Sequence, residues 1–235
     1  MNYFVSLADD VISLLFPRVC HACGEHLVRN ENLICTGCLV EIPRTGFESV
    51  RDNFTEKLFW GRCRLERAAS FAWYVKGGRM SRLIFRLKYD GYTEVGFELG
   101  RIYGHNLASS GFTEGIDCLV PVPLHKRKER KRGFNQSLVI AEGISSSTGI
   151  PVSTGYLVRK TSTATQTVRS RIERWRNVEG IFTVERADEI AGSHVLLVDD
   201  VITTGSTIDA CCSALMAATD IKVSVVSLAV APGHS

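Results

Sequence analysis

The stretch Val195-Leu196-Leu197-Val198-Asp199-Asp200-Val201-Ile202-Thr203-Thr204-Gly205-Ser206-Thr207 decides the reading of this chain. A short aliphatic run bounded by polar residues is what a strand buried on both faces of a sheet looks like. The pattern predicts a strand over 195–198 and a helix over 206–218, with Thr203, Thr204, Gly205, Ser206 and Thr207 at the turn between them. Hydroxyls and backbone N–H groups gathered where a helix begins make a cradle for phosphate. Asp199 and Asp200 stand at the carboxyl end of the strand, where open α/β sheets keep their ligand crevice. Paired carboxylates suit ribose hydroxyls or a divalent cation, so an anionic sugar phosphate would engage both halves of the segment. The plainer alternative is a core strand followed by a helix capped at Ser206 or Thr207. The acids and the glycine loop occur together in register, which favours the ligand site. A Walker loop needs Gly-Lys before Ser or Thr, and no Gly-Lys dipeptide occurs in the chain. A receiver domain carries its acidic pair after its first strand, and too little chain follows residue 200 to build one.

With 235 residues, of which 45% are hydrophobic, the chain is expected to form a medium-sized domain with a small appendage. The appendage is read from cysteine spacing. Cys20, Cys23, Cys35 and Cys38 form C-x2-C-x11-C-x2-C, two knuckles that together offer four thiolates to one tetrahedral ion, as in a structural zinc ribbon. So short a segment cannot bury enough surface to fold alone, so zinc would supply most of its stability. A pair of redox dithiols and a lost site with unused thiols are the alternatives. His21 and His26 are bystanders when four thiols are available, and Cys63, Cys118, Cys211 and Cys212 lack metal spacing. Residues 1–45 are thus an N-terminal helix plus ribbon, and 46–235 the ligand-binding domain. The first helix packs through Phe4, Leu7, Val11, Ile12 and Leu15; Asp9 and Asp10 interrupt it and no basic leader precedes it, so it is neither signal peptide nor anchor. No apolar run approaches the roughly 18 residues of a membrane span. The expectation is a cytoplasmic protein without membrane insertion.

After the ribbon, strands alternate with helices, which predicts a parallel sheet with right-handed crossovers. Strands are expected at 70–75, 116–123, 156–158 and 222–230, besides the one at 195–198. Between 79 and 89, Met80, Leu83, Ile84 and Leu87 recur at i, i+3, i+4, i+7, the spacing of an amphipathic helix. Helices also follow at about 94–108 and 134–146. The former carries Gly96, Gly100 and Gly104 at four-residue intervals, a ridge that admits close backbone approach despite the cost in helix propensity.

The formal charge of +3 is too small to imply nucleic acid, but its distribution is uneven. Lys126, Arg127, Lys128, Arg130, Lys131 and Arg132 crowd into seven positions with one acid, Glu129. Such density is a footprint for phosphates, in pyrophosphate or in a nucleic-acid backbone, or else a solvated face. A second cluster, Arg169, Arg171, Arg174 and Arg176, surrounds Trp175. Aromatic residues beside arginines stack on bases, although half-buried packing is the plainer role for this one.

The acidic pair followed by Thr-Thr-Gly-x-Thr resembles the signature of type I phosphoribosyltransferases. That resemblance implies that Asp199 and Asp200 hold the ribose hydroxyls of phosphoribosyl pyrophosphate and are the catalytic acids. It also implies that Thr203 to Thr207 hold its 5′-phosphate. The ordered set of the four-cysteine module, LKYDGY at 87–92, VPVPLH at 120–125, RGFNQS at 132–137, Thr165-Gln166-Thr167, Arg174 to Asn177, and the acidic motif is similar to the ComF family over essentially the whole chain. Membership implies an α/β fold, a type I phosphoribosyltransferase-like parallel sheet flanked by helices, with a small N-terminal zinc ribbon. It further implies a pyrophosphate loop at Val122, Pro123 and Leu124, a phosphate contact from Lys88, and a hood at about 160–177. Structural zinc, and magnesium bound with phosphoribosyl pyrophosphate, are the implied cofactors. Single-stranded DNA in natural transformation, and competence proteins of the ComFA-like helicase and DprA-like kinds, are the implied partners. A nucleobase-salvage phosphoribosyltransferase and a non-catalytic, ligand-responsive nucleic-acid-binding regulator are the alternatives, and no residue announces an acceptor base.

Overall fold

The computed structural model describes residues 18–159 and 181–232. The expected N-terminal helix, the hood at 160–177, Thr165-Gln166-Thr167 and the cluster around Trp175 lie outside the described residues. Four parallel strands, β1 (Ala68–Trp73), β2 (Cys118–Pro121), β5 (His194–Ile202) and β6 (Lys222–Val230), form a sheet in the order β1-β6-β5-β2. A separate antiparallel pair, β3 (Leu157–Arg159) and β4 (Phe182–Val184), lies apart from it. The helices are α1 (Thr36–Glu41), α2 (Phe54–Lys57), α3 (Arg79–Tyr89), α4 (Thr93–Ser109), α5 (Lys126–Arg132), α6 (Gln136–Thr148) and α7 (Ser206–Ala218).

The unbroken apolar run in β5 follows from cover on both faces. Leu196 and Val198 pack in one cluster with Leu83, Leu87, Leu99, Ile140 and Ile144 from α3, α4 and α6. Val195 and Leu197 pack in another with Ile208, Cys211, Cys212 and Leu215 from α7. Each such side chain removed from water contributes about 1.5–3 kcal/mol. Cys211 and Cys212 are both fully buried here, as small packing residues. The glycine ridge of α4 meets α6 backbone to backbone: a Cβ on Gly100 would lie 2.3 Å from the Ile140 carbonyl oxygen, and one on Gly143 would lie 2.1 Å from that of Phe97. Only glycine allows this approach, and it fixes where the N-terminus of α6 arrives.

Two features differ from the expected layout. β5 continues to Ile202, four residues past the predicted 195–198, because β6 keeps pairing with it through Asp199↔Ser227, Val201↔Ala229 and Ile202↔Val230. On its other side β2 leaves after Pro121↔Val198. The Val122 N–H donates the last bond, 2.9 Å to the Val198 carbonyl, and Pro123 has no N–H with which to continue the ladder. A crevice therefore opens beside Asp199 and Asp200, on the strand rather than beyond it. The second difference is the β3–β4 pair, which is antiparallel in a chain read as wholly parallel.

The ribbon is built on an antiparallel bridge between Val19 and His26 and on α1, and it joins the molecule's core. Cys20, Ala22, Ile34, Cys38 and Ile42 are buried in the same cluster as α3 and α4. Arg79 Nε pairs with Glu41 at 2.8 Å, and Arg82 donates to the Ala22 carbonyl at 3.3 Å. The chain then runs along β1, with Trp73 N–H donating to the Pro43 carbonyl at 2.9 Å and Thr45 N–H to that of Phe71 at 3.1 Å.

Candidate ligand-binding site

The crevice between β2 and β5 is a cavity of about 230 Å³ with Asp199 and Asp200 in its wall. Val122, Pro123 and Leu124, from the chain leaving β2, line it on one side, and Thr207, from the start of α7, lines it on another. Lys88 and Tyr89 reach it from the end of α3, Lys128 and Arg132 from α5, and Gln136, Arg159 and Val201 also line it.

Both acids are nearly buried, Asp199 at 8% and Asp200 at 4% exposure. The Asp199 carboxylate accepts from the Ser137 hydroxyl at 3.2 Å and from the Asp200 N–H at 2.9 Å. Lys88 Nζ lies 2.6 Å from Asp200 Oδ1. Asp200 Oδ2 is buried and has no partner among the described residues. A buried carboxylate oxygen left unpaired is costly, and a ribose hydroxyl or a magnesium ion is the kind of group that would satisfy it. Burial, and then the adjacent Asp200 carboxylate, push Asp199 up to about 7, against the opposing pull of its hydrogen bonds and of Lys88.

The loop after β5 is shaped for an oxyanion. Gly205, at φ +77°, caps α7 in a left-handed conformation that a side chain rarely adopts. Thr203, Thr204, Ser206 and Thr207 are exposed around it, with the Thr204 and Ser206 hydroxyls 2.9 Å apart. The α7 helix dipole adds partial positive charge at this end. Behind the loop, the Phe59 ring is so near that a Cβ on Gly205 would fall 2.8 Å from it.

Several contributors escaped the sequence reading. Arg62 donates to the Thr204 carbonyl at 2.7 Å and to that of Leu58 at 3.0 Å, and pairs with Asp209 of α7. It thus clamps the loop after β5 from 142 positions away in sequence, and no local signal marks it. Ser137, Gln136 and Asn135 lie within RGFNQS, a motif that carried family likeness but no role. Asn135 caps α6 by accepting from the Ser137 N–H at 3.0 Å and donates to the Val122 carbonyl at 3.0 Å, which ties α6 to the loop after β2. An Asn before a helical run is a cap signal that could have been read.

The basic run is a helix without buried residues, capped by His125 Nδ1 accepting from the Arg127 N–H at 3.1 Å. It divides by face. Lys128 and Arg132, at i and i+4, line the acid crevice, and Arg132 donates to Gln136. Lys126, Arg127, Arg130 and Lys131 are exposed and do not line it.

In the ribbon, the sulfurs of Cys20, Cys23, Cys35 and Cys38 all lie within 4.8 Å of one another, the one such group of candidate metal ligands among the described residues. Backbone N–H groups of Ala22 and Cys35 donate to Cys20 Sγ at 3.4 and 3.3 Å, that of Glu25 to Cys23 Sγ at 3.4 Å, and that of Cys38 to Cys35 Sγ at 3.4 Å. Burial works to raise Cys20, but these backbone donors outweigh it and bring the thiol to about 7. Burial and the neighbouring thiols push Cys38 up, a repulsion that a shared cation would reverse. His21 stands aside, its ring 4.4 Å from that of Tyr92.

Residues 135–233 match the phosphoribosyl transferase domain family. With the parallel sheet, the acidic strand and the glycine loop, this defines a type I phosphoribosyltransferase-like protein carrying an N-terminal four-cysteine ribbon. The DNA utilization protein YhgH of Escherichia coli K12 is 30% identical over 213 residues, spanning 83% of this chain and 89% of that protein. Competence protein F of Haemophilus influenzae is 28% identical over 81% of this chain and 87% of its own length. Competence protein ComFC of Bacillus subtilis is 26% identical over 81% and 75%. The chain belongs to the ComF family. Among the described residues, no helix is long and apolar enough to cross a membrane.

A carboxyl that titrates near 7 when folded and near 3.8 when unfolded favours folding below about pH 4, and that contribution is lost as pH rises to about 7. Asp199→Asn should therefore stabilise the ligand-free protein at pH 8, by an amount on the order of a few kcal/mol at most. The gain should shrink towards pH 4. Thermal unfolding of both proteins across that range checks this; a difference independent of pH would refute it.

Proposed function

We propose that this protein is a ComF-type competence factor that binds phosphoribosyl pyrophosphate with magnesium and handles single-stranded DNA in natural transformation. The observation that supports the ligand is Asp200, which lines the crevice between the glycine loop and a turn held by Asn135 and whose buried Oδ2 has no partner among the described residues. Asp199 and Asp200 take the ribose hydroxyls, Thr203 to Thr207 the 5′-phosphate, and the chain at Val122 to Leu124 the pyrophosphate. Lys88, Lys128 and Arg132 lie where the pyrophosphate charge would fall. Asp199 and Asp200 would hold magnesium together with the ligand, and the ion would supply positive charge against that of the pyrophosphate. The names of the relatives, DNA utilization protein and competence protein, support the nucleic-acid partner. So does the exposed basic face of α5.

The four sulfurs fit a single zinc ion in number and donor type. Freshly purified, reduced protein should contain about one zinc per chain by elemental analysis, and Cys35→Ser should lose it while the central sheet keeps its circular dichroism. Zinc-free parent protein would end this assignment.

Titration calorimetry with magnesium and phosphoribosyl pyrophosphate should show binding to the parent. It should show none to the Asp199→Asn, Asp200→Asn double variant, with folding retained. Unchanged affinity in that variant would overturn the ligand assignment. Pyrophosphate release with a free nucleobase would make the protein a salvage enzyme instead.

The DNA reading has its own measurement. Replacing Lys126, Arg127 and Arg130 by alanine should weaken binding of all single strands alike. The slope of log affinity on log salt should flatten by up to about 2, at roughly 0.7 per lost contact. Ligand binding should persist. An unchanged affinity and slope would remove α5 from the DNA site.

A further inference from the structure

A second cavity, of about 790 Å³, lies between the ribbon and α3 and reaches the end of β5 at Val201 and Thr203. Lys88 and Tyr89 line both this cavity and the acid crevice, so the two spaces are neighbours. The wall that α3 presents is unusual. Its inward face is Met80, Leu83, Ile84 and Leu87. The cavity is lined by a second stripe at the same spacing, Arg82, Phe85, Arg86 and Tyr89, two cations alternating with two aromatic rings at i, i+3, i+4 and i+7. Phe85 is 54% exposed and Tyr89 68%, with ring centroids 4.9 Å apart. Arg82 spends one N–H group on the Ala22 carbonyl and Arg86 pairs with Asp90 at 2.8 Å. Each guanidinium has five N–H donors, so both keep others for a ligand.

Exposed aromatic rings flanked by arginines are a platform on which a base stacks while its phosphate is held by charge. The volume suits a nucleotide-sized ligand, and the phosphate loop opens beside it. We propose that the cavity between the four-cysteine ribbon and α3 binds a nucleotide unit, with its base on Phe85 and Tyr89 and its phosphate on Arg82 and Arg86. This deepens the function given above and rests on reading the adjoining crevice as a sugar-phosphate site. It seats the nucleic-acid partner directly against that crevice and makes the ribbon the roof of the nucleotide site. The unit is a free nucleotide or one residue of a DNA strand, which share the same chemistry.

The test compares the parent, Phe85→Ala and Phe85→Trp. The probes are deoxythymidine monophosphate by calorimetry and a fluorescein-labelled ten-residue oligothymidine by anisotropy; magnesium with phosphoribosyl pyrophosphate serves as a separate titration. Phe85→Ala should weaken nucleotide or oligonucleotide binding about tenfold, the loss of about 1.4 kcal/mol of stacking. Phe85→Trp should restore it, and phosphoribosyl pyrophosphate affinity should stay at the parent value in both. An effect on the oligonucleotide alone supports the site and assigns the unit to a strand; an effect on both probes supports it and admits free nucleotides. A parent that binds neither probe, or an alanine variant equal to the parent, overturns the proposal. If phosphoribosyl pyrophosphate fails to bind the parent while Phe85 still controls nucleotide binding, the adjoining site has been misread and this one stands.

Discussion

Two carboxylates on consecutive residues of a buried strand repel each other and resist leaving water, and much of the molecule around Asp199 and Asp200 answers that constraint. Lys88 supplies the one cation in contact among the described residues, at 2.6 Å from Asp200, and it comes from the last turn of α3. Ser137 supplies a hydroxyl from the first turn of α6. Among the described residues one carboxylate oxygen, Asp200 Oδ2, is still left over. The protein thus holds an incomplete set of partners, the condition in which a ligand that brings hydroxyls or a cation gains affinity from a cost already present in the free protein. An ordinary core strand would have no reason to carry this arrangement.

Distant packing keeps those partners in place. The position of Ser137 depends on where α6 begins, and that depends on α4 and α6 touching through Gly100 and Gly143. Asn135 then fastens the same helix start to the Val122 carbonyl, so one contact orients both the hydroxyl for Asp199 and the loop expected to meet pyrophosphate. On the opposite side Arg62 ties the segment after α2 to the glycine loop after β5 and to Asp209 of α7.

What could be read in advance was what is contiguous. The β5 motif, the loop and α7 follow one another in sequence, so their order and chemistry were legible, as were the buried face of α3 and the glycine ridge of α4. The length of β5 was not, since two acids look like the end of a buried strand; only the register with β6 shows that pairing carries on past them. Arg62 and the Lys88–Asp200 pair join residues more than a hundred positions apart, and nothing in single-sequence periodicity encodes that. The basic run was legible as charge but not as a helix, so its division between Lys128 and Arg132 at the crevice and the four residues outside it could not be foreseen. The second stripe of α3 was hidden for a related reason: hydrophobic periodicity finds the face that is buried and passes over the one that is exposed.

The ribbon looks separable in sequence, yet its packing couples it to the ligand site. Cys20, Ala22 and Cys38 share a cluster with Leu83 and Leu87 of α3, and the residue after Leu87 is the lysine that balances Asp200. Burial and the neighbouring thiols raise Cys38, and a cation shared by the four sulfurs would add to the packing that holds the ribbon against α3. Loosening the ribbon would therefore leave the β5–β6 pairing intact, because that sheet has its own cover from α4, α6 and α7. It would free the outer side of α3, and with it the geometry of Lys88. Metal at the cysteines and ligand at the acids would in that way be linked through a single helix, without any contact between the two sites.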